Sequence, residues 1–443
     1  NLLHISVISL FLSLSLSLSL EMKASPVTNV KISSVVPALV TGENKPRKLT
    51  PMDLAMKLHC VRAVYFFKGT RDFTMADLKN NMFGLLQLQC FYHITGRIRM
   101  SDNDPSSPGI PYLRCNDSGI RFVQANVEEF TVEEWLDLDD RSIDHRFLVY
   151  NQVLGDPDLI FSPLVFLQVT QFKCGGFSIG LSWANILGDV FSASTFMKTM
   201  GQLLSSPPSK LVYPKKPELT PHVHDEGDGG EAISIKKIES VGEYWLLTNK
   251  WKMGRFIFNF SLDQIDCLMA KYTALTDKPF SEVDLLYALV WKSLMNIRGE
   301  TDTKVITICD RRKSSTCWND DLVISVVERK DQMIGISELA TLIASGKREE
   351  NGVIKQMIGK DRGSSDFITY GANLTFVNLD MVDMCEFEIK GAKPDFVNYT
   401  IQGVGDKGVV LVFPKGKLSR MVSVVMPEED LAKLKDELNN MIV

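Results

Sequence analysis

A chain of 443 residues, 45% hydrophobic and 23% charged, can bury a full core and is long enough for two domains. Its formal net charge of -5 and its scattered Lys and Arg residues argue against a nucleic-acid-binding protein, which needs clustered positive charge. Its eight cysteines lie far apart, with no CxxC pair and no nearby His at metal-ligand spacing, so no metal site is expected. Cysteines scattered in this way are usually reduced residues of a protein core, and the alternative is that they form disulfide bonds.

The first 21 residues differ in character from the rest of the chain. Residues 10–20 read LFLSLSLSLSL, and a polar segment begins at Met22. An apolar stretch in this position can be a secretory signal. Here it lacks a positively charged start and a clear cleavage site, and strict Ser-Leu alternation is low in complexity. We therefore expect residues 1–21 to be a translated leader and Met22 to be the true start.

A cytoplasmic location follows from that expectation. No other apolar run is long enough to cross a bilayer. The chain has four Asn-x-Ser/Thr sequons, which begin at Asn116, Asn259, Asn373 and Asn398. They would be glycosylation sites only under the alternative that the protein is secreted.

The first half of the chain alternates between strand-like and helix-like segments. Residues 64–69, VYFFKG, are β-branched and aromatic and end at a Gly, which is typical of a strand. Apolar residues at helical spacing follow Met75, and strand-like alternation returns near residue 120. Residues 164–185, LVFLQVTQFKCGGFSIGLSWAN, predict two strands around a Gly-Gly turn. Beyond Asp189, one helical stripe runs to residue 204.

Residues 205–235 are the best linker candidate in the chain. Pro, Gly, Asp and Glu replace apolar periodicity there, as in PHVHDEGDGGE. His222 and His224 lie in this segment, two residues apart. We do not expect them to bind a metal or to act in catalysis, because their surroundings supply no groups that would orient the rings.

The second half repeats the αβ alternation. Residues 254–260, GRFIFNF, are strand-like, and Ser261 precedes an apolar-periodic run, as at a capped helix start. A strongly apolar helix over residues 281–298 is expected to pack deep in its domain, with Gly299 at its C-terminal cap. KVITICDRR and GVVLVFP are strand-like. A terminal helix begins near Pro427 and carries one apolar face, formed by Leu431, Leu434 and Leu438.

These patterns predict an α/β fold with two αβ domains and mixed sheets. The first domain comprises residues 22–204, the second comprises residues 236–443, and the segment 205–235 forms a long crossover between them.

Residues 181–194, LSWANILGDVFSAS, have the layout of a catalytic segment. A strand-like run ends in a turn at Asn185, Asp189 follows four residues later, and a helix begins. From local chemistry alone, we expect Asn185 to cap the turn and Asp189 to be the N-cap or a first-turn acid of the helix.

This segment resembles the BAHD family of plant acyl-CoA-dependent acyltransferases. In that family a hairpin carrying Q-V-T-x-F-x-C-G-G leads to an H-x-x-x-D motif and a helix, and residues 163–204 follow the same plan. The likeness covers nearly the whole chain after Met22. Its other segments are residues 49–69, 91–98, 113–126, 280–299 and 308–313. The version SWA-x-x-L-G-D-x-F-S-A-S is most similar to the eceriferum, or glossy, branch, which is tied to very-long-chain acyl elongation for cuticular wax.

The resemblance implies two chloramphenicol-acetyltransferase-like domains with an active-site channel at their interface. In the family the motif His deprotonates the acceptor, and the motif Asp pairs with an Arg of the second domain. Here the His position is Asn185, the Asp position is Asp189, and the Arg position falls at Arg312. A carboxamide cannot take a proton near neutral pH, so a general base that typically contributes about 10²–10⁴-fold in rate is missing. We expect His93 to be a packed or capping residue rather than a relocated base.

A second family element is also altered. The family's D-F-G-W-G-K-P turn, which shapes the channel and the CoA side, corresponds to residues 388–394, EIKGAKP. The corresponding turn residues are Glu388, Gly391, Lys393 and Pro394. The family's Trp is lost, and its Y-F-G-N segment is missing from the residues that follow position 313.

Two functional hypotheses follow from the resemblance. The favoured one is a non-catalytic or weakly catalytic partner of a fatty acid elongase condensing enzyme, in very-long-chain elongation and cuticular wax biosynthesis at the endoplasmic reticulum surface. The alternative is an acyl-CoA-dependent O- or N-acyltransferase that uses another base. Acyl-CoA is the expected substrate or ligand, with no tightly bound cofactor and no nucleic acid. The free protein is expected to be a monomer.

Overall fold

The computed structural model of the chain leaves short gaps between the segments that it describes. The described residues are 25–42, 45–69, 73–88, 90–101, 109–138, 145–151, 153–156, 158–205, 230–299, 303–312, 319–330, 334–361, 365–380, 382, 387–415 and 419–442. The predicted leader and most of the predicted crossover, with His222 and His224, lie outside these residues. The predicted division of the chain at 205–235 therefore stays a prediction.

Strands and helices alternate through both halves of the chain. The strands are β1 Thr28–Val35, β2 Lys45–Lys48, β3 Cys60–Phe67, β4 Arg97–Met100, β5 Pro111–Cys115, β6 Ile120–Val127, β7 Val165–Phe172, β8 Phe177–Ala184, β9 Lys236–Ile238, β10 Met253–Phe260, β11 Val305–Arg311, β12 Leu322–Glu328, β13 Arg348–Glu349, β14 Asp366–Ile368, β15 Leu374–Asn378, β16 Phe396–Gln402, β17 Val409–Lys415 and β18 Ser419–Pro427. The helices are α1 Pro51–Ala55, α2 Met75–Leu86, α3 Val132–Asp137, α4 Val190–Ser205, α5 Leu262–Thr273, α6 Glu282–Arg298, α7 Ile336–Ser345, α8 Asn351–Asp361 and α9 Glu428–Ile442.

A six-stranded mixed sheet organises the first half, in the order β1-β6-β7-β8-β3-β16. β6 and β7 are parallel, and the other neighbours are antiparallel. The predicted hairpin is confirmed: β7 and β8 pair around Gly175, whose φ of 87° favours a glycine. The edge strand β16 comes from the last quarter of the chain, where Tyr399 pairs with Ala63 of β3. The second half therefore contributes a strand to the sheet of the first.

The second half is built on a seven-stranded mixed sheet, in the order β10-β18-β17-β15-β11-β12-β13. The predicted helix caps at Ser261 and Gly299 are confirmed. Ser261 accepts a hydrogen bond from the backbone N–H three residues on, and Gly299 ends α6 with a φ of 83°. Ser281 caps the start of α6 in the same way as Ser261. Such caps satisfy backbone groups that a helix end leaves without partners. Smaller sheets join β9 to β14 and β2 to β5 and β4.

The two faces of the seven-stranded sheet serve different cores. One face, which includes Ile306 and Ile308, packs against α5, α6, α7 and α9. The next side chain along β11, Cys309, belongs to the core of the first half, because side chains alternate between faces along a strand. Leu411 and Phe413 of β17 lie in that same shared core. The predicted fold of two αβ halves with mixed sheets is confirmed, and one of its hydrophobic cores contains residues from both halves.

Within the described ranges, no helix combines the length and the apolar composition that a membrane span requires.

Two glycines offer a matched test of the packing around the β7–β8 hairpin. A Cβ at Gly180 of β8 would lie 2.0 Å from the backbone oxygen of Leu148, whereas a Cβ at Gly84 of α2 would meet nothing within 4 Å. Gly180→Ala should lower the free energy of unfolding by about 1–3 kcal/mol or more, because backbone atoms must move. Gly84→Ala should raise it by about 0.5–1 kcal/mol, as Ala favours a helix. Urea unfolding of both variants measures the difference, and equal effects would contradict this packing.

Candidate functional site

The candidate site is the turn between β8 and α4, where the two halves of the chain meet. β8 ends at Ala184, a short 3₁₀ turn covers Asn185–Leu187, and α4 begins at Val190. Gly188 has a φ of 145°, which a residue with a Cβ rarely adopts. The Trp183 indole N–H donates to the Gly188 carbonyl at 3.0 Å and fastens the turn to the strand.

Asn185 is completely buried, and its backbone rather than its side chain holds the turn. Its N–H donates to the His59 carbonyl at 3.0 Å, and its carbonyl accepts from the Gly188 N–H at 3.1 Å. Among the described residues, neither the amide nitrogen nor the amide oxygen of its side chain has a hydrogen-bond partner. The expectation that the Asn185 side chain caps the turn was therefore wrong. A buried polar side chain without a partner is uncommon, so the Asn185 amide is a candidate contact for an ordered water or a bound group.

Asp189 is the N-cap of α4, as predicted. Its Oδ1 accepts from the Ser192 backbone N–H at 2.9 Å and from the Ser192 hydroxyl at 3.0 Å. Burial raises the pKa of this carboxyl, while the Ser192 hydrogen bonds and the positive charge of Arg311 oppose that rise. The other oxygen, Oδ2, has no hydrogen-bond partner among the described residues.

The basic neighbour of Asp189 is Arg311, and the expected pairing of Asp189 with Arg312 was wrong. Arg312 instead forms a half-exposed ion pair with Glu349, and Asp310 pairs with Lys347 at 3.0 Å. Asp310 and Arg312 therefore lie on the same side of the chain, beside Lys347 and Glu349. Because a shift of one residue changes the face of a strand, Arg311 lies on the other side, with Cys309 and the core that the two halves share.

His59 lies beside the turn, yet its ring is fully occupied by backbone groups. Its Nδ1 is 2.8 Å from the Gly403 carbonyl, and its Nε2 accepts from the backbone N–H groups of Thr369 and Tyr370 at 3.0 and 3.3 Å. Burial lowers the pKa of this imidazole to about 4. The Nε2 lone pair is thus engaged, and His59 cannot accept a proton from a substrate without giving up these bonds.

His93 is also buried, at the end of the segment before β4. Burial lowers the pKa of its ring well below the usual value, the positive charge of Arg47 lowers it further, and a hydrogen bond with the Leu187 backbone opposes both. The expectation of a packed residue is confirmed by its burial. Its contact with Leu187 places it against the turn as structural support.

Asn319 joins the second half of the chain to this turn. Its amide nitrogen donates to the Asn185 carbonyl at 2.7 Å and to Asp53 Oδ1 at 3.0 Å. Asp53 in turn caps α1 through the Thr50 N–H. Asn319 is not predicted from the sequence, because the Y-F-G-N segment of the family is not intact here. The remaining signal is that residues 316–319, TCWN, keep the final Asn of that segment.

The altered turn at residues 388–394 lies at the other end of α4. Ile389 and Ala392 exchange backbone hydrogen bonds across Lys390 and Gly391, both of which have positive φ. The Lys390 N–H donates to the Ser205 hydroxyl at 2.8 Å, which seats the turn on the last residue of α4. A 16-residue helix is roughly 24 Å long, so this turn is remote from Asn185.

The residues of the 388–394 turn differ in their contacts and in their exposure to solvent. The Glu388 carbonyl packs on Gly201 of α4, while Lys393 is exposed and Pro394 is buried where the chain enters β16. Aromatic packing is supplied by Phe387, whose ring meets that of Tyr65 at 4.7 Å. The turn thus leads directly into β16, the strand that the second half of the chain contributes to the first sheet.

A narrow apolar groove lies beside the turn at the interface of the two halves. Its accessible cavity is only about 30 Å³, the space of one water molecule. His59 and Ala184 belong to its lining, together with residues from both halves of the chain, among them Leu164, Phe166, Trp245 and Gln402. The described residues include no group of three or more His, Cys, Asp or Glu placed to hold a metal ion. Of the described cysteines, the six at positions 60, 90, 115, 174, 267 and 309 are free thiols.

The contrast between Arg311 and Arg312 can be tested by stability. Arg311→Gln should lower the free energy of unfolding by about 1–3 kcal/mol, because it removes the positive charge beside the buried Asp189 carboxylate. Arg312→Gln is the matched control and should cost less than about 1 kcal/mol, since its ion pair with Glu349 is half exposed. Chemical denaturation measures both, and a larger loss in Arg312→Gln would overturn the assignment.

The buried imidazole of His59 predicts a loss of stability in mild acid. Its pKa falls from 6.5 to about 4 on folding, so below pH 6.5 the unfolded chain binds a proton that the folded chain refuses. By about pH 5 this difference should cost roughly 2 kcal/mol of unfolding free energy relative to pH 7.5. Urea unfolding at both pH values gives the slope for the unchanged protein. His59→Gln should show a smaller slope, and an unchanged slope would show that His59 does not carry the effect.

Comparison with known proteins agrees with this architecture. The Transferase family matches residues 25–313. Protein ECERIFERUM 2 of Arabidopsis thaliana is 76% identical over 426 residues, which cover 95% of this chain and 100% of that protein. Protein ECERIFERUM 26-like of the same plant is 35% identical over 429 residues, 94% of this chain and 96% of that protein.

Solved structures show the same fold at low sequence identity. Vinorine synthase has a TM-score of 0.65 at 15% identity, covering 94% of this chain and 98% of that one. TRI101 of F. sporotrichioides, complexed with coenzyme A and T-2, has a TM-score of 0.61 at 14% identity, covering 88% and 97%. The family match and the full-length likeness to the Arabidopsis proteins lead to one conclusion: the chain belongs to the Transferase family of BAHD acyltransferases.

Proposed function

We propose that this protein acts in very-long-chain fatty acid elongation for cuticular wax, as a non-catalytic or weakly catalytic partner of an elongase condensing enzyme. The observation that carries the proposal is the state of Asn185. The residue at the general-base position of the family is a fully buried amide that cannot take a proton. The proposal is supported further by the 76% identity to Protein ECERIFERUM 2.

The nearest buried histidines do not favour a replacement base. Both ring nitrogens of His59 are engaged by backbone groups, and burial disfavours the charged form of His93. Tyr370 packs edge-on against the His59 ring at 5.0 Å, but burial raises the pKa of its phenol well above 10, so it stays protonated. An acyltransferase working through another base is therefore the weaker hypothesis for the described part of the chain.

An amide at this position favours binding over reaction. The Asn185 side chain can donate one hydrogen bond through nitrogen and accept another through oxygen, and both atoms lack partners among the described residues. A thioester carbonyl or an acceptor hydroxyl offers a complementary group. We infer that acyl-CoA is a ligand, which is supported by the coenzyme A in the TRI101 structures. Without a base, the ligand would be held and then released unchanged.

A non-catalytic binder can alter the chain length of a product only through a second protein. The proposed partner is the condensing enzyme of the elongase, and the proposed place is the cytoplasmic surface of the endoplasmic reticulum. In this arrangement the protein changes which acyl chain the condensing enzyme extends, and it transfers no acyl group itself. The alteration of the 388–394 turn is compatible with this role, because the turn still seats β16 in the first sheet.

Co-expression in yeast tests the proposed function. The unchanged protein, Asn185→His and Asn185→Ala are each produced with and without a plant elongase condensing enzyme, and acyl chain lengths are measured by gas chromatography. We expect the unchanged protein to lengthen the products only when the condensing enzyme is present. Asn185→His should not increase the effect, because no acyl transfer is involved. Asn185→Ala should weaken it, because the two hydrogen-bonding atoms are lost.

A direct assay of the purified protein distinguishes the two hypotheses. Incubation with a very-long-chain acyl-CoA and long-chain alcohols or amines should release no free CoA above the level of the buffer. Transfer to an acceptor by the unchanged protein alone would overturn the partner role. A length shift that appears only with Asn185→His would show that a base is required, and would equally overturn it.

A further inference from the structure

The segment between β9 and β10 lies across the groove where the two halves of the chain meet. We name it the Trp245 strap. It comprises residues 239–252, all of which the structure describes, and they form neither a helix nor a strand. Trp245 is the only buried residue of the strap, at 4% exposure, and its indole lines the groove. Its neighbours Tyr244 and Leu246 are 54% and 42% exposed. The strap thus inserts one large side chain into the interface.

Hydrogen bonds fasten the strap to both halves of the chain. The Val241 N–H donates to Asp366 Oδ2 at 2.8 Å, and the side chain of Asn249 donates to a backbone carbonyl in the loop after β16, also at 2.8 Å. Between them, the Trp245 N–H donates to the Leu154 carbonyl of the first half at 2.9 Å. A mostly exposed segment without regular structure opens at a lower free energy than the sheets beside it.

A buried ion pair lies beneath the indole of Trp245. The Lys57 ammonium is 5.0 Å from the centre of the ring, and it pairs with the Asp366 carboxylate. The side chains of Lys57 and Asp366 are only 10% and 0% exposed. A cation over the face of an indole is attracted by the ring. Asp366 therefore holds both the start of the strap, through Val241, and the cation that keeps the indole inside the groove.

The indole takes up apolar space close to the candidate site. With Trp245 in place, the groove has room for about 30 Å³, the space of one water molecule. Its wall is largely aliphatic, with Val153, Leu154 and Leu164 among its residues, and it extends to Ala184, which precedes Asn185. A ligand larger than water can enter this groove only if the indole leaves it.

The polar side chains of the groove wall already have partners. The Ser182 hydroxyl is 3.3 Å from the Cys60 thiol, and the His59 ring is bonded to the Gly403 carbonyl and to backbone N–H groups of the second half. A sugar, a phosphate or a hydroxylated ring would lose its hydrogen bonds to water here without replacing them, which is costly. A hydrocarbon has none to lose, so the groove favours an unbranched alkyl chain.

We propose that Trp245 is a displaceable plug, and that the hydrocarbon of a saturated, unbranched acyl-CoA takes the place of its indole. The proposal rests on the acyl-CoA ligand of the proposed function and adds the residue that selects for chain length. The contacts of the indole must be given up before a chain can enter, which weakens the binding of every acyl-CoA. Each buried CH₂ strengthens binding by roughly fourfold, so only a long chain outweighs that loss.

Binding of acyl-CoA to the purified full-length chain tests the plug, without any condensing enzyme. The probes are octanoyl-, lauroyl- and palmitoyl-CoA, with CoA itself as the reference, and titration calorimetry gives the affinities. We expect the unchanged protein to bind palmitoyl-CoA far more tightly than octanoyl-CoA. Trp245→Ala should bind octanoyl- and lauroyl-CoA about tenfold more tightly than the unchanged protein, because no indole has to be displaced. CoA itself should bind equally to both.

Trp251→Ala is the matched control, because Trp251 belongs to the same strap and is 57% exposed. It should bind every probe like the unchanged protein. Tryptophan fluorescence gives a second readout: palmitoyl-CoA should shift the emission of the unchanged protein toward that of an indole in water. Trp245→Phe should bind palmitoyl-CoA without this shift. Trp245→Leu takes the place of Trp245→Ala if circular dichroism shows that the alanine variant has not folded.

The outcomes separate the plug from the proposed function. If Trp245→Ala binds the short chains no more tightly than the unchanged protein does, the plug is overturned while the acyl-CoA ligand stands. An equal gain for CoA alone also overturns the plug, because the freed space would then not be occupied by the acyl chain. If neither the unchanged protein nor any variant binds palmitoyl-CoA, the proposed ligand is overturned, and the plug with it.

Discussion

The backbone of Asn185 is the connection on which the rest of the site depends. Its N–H is bound to the His59 carbonyl, and its carbonyl is bound to the Asn319 side chain from the other half of the chain. Neither bond involves the side chain at position 185. The turn, the Asp189 cap and the start of α4 can therefore persist when the side chain at this position is changed. A scaffold that forms an active site in its family can thus lose the base and keep its shape.

Much of this architecture could be predicted because it is encoded locally. The β7–β8 hairpin, α4 with its Asp189 cap, and α6 with Gly299 at its C-terminal end were all recognisable from periodicity and capping residues. The predictions failed where a side chain's position depends on contacts between residues that are far apart in the sequence. The choice between Arg311 and Arg312 depends on which face of β11 meets the first half, and one residue of register reverses it. The pairing of β16 with β3 joins residues more than 300 positions apart, and no local pattern records it.

The polar residues around the site fall into two groups, those whose hydrogen-bonding atoms have partners within the protein and those whose atoms have none among the described residues. His59 uses both ring nitrogens on backbone groups, and the Asn319 amide nitrogen serves two acceptors. The hydrogen bonds of these two side chains give them a structural role in the fold. The Asn185 amide does not, since leaving a buried polar group without a partner costs about 1–3 kcal/mol. A sequence shows that Asn stands where the family has His, but only the structure shows that this amide has no hydrogen-bond partner among the described residues.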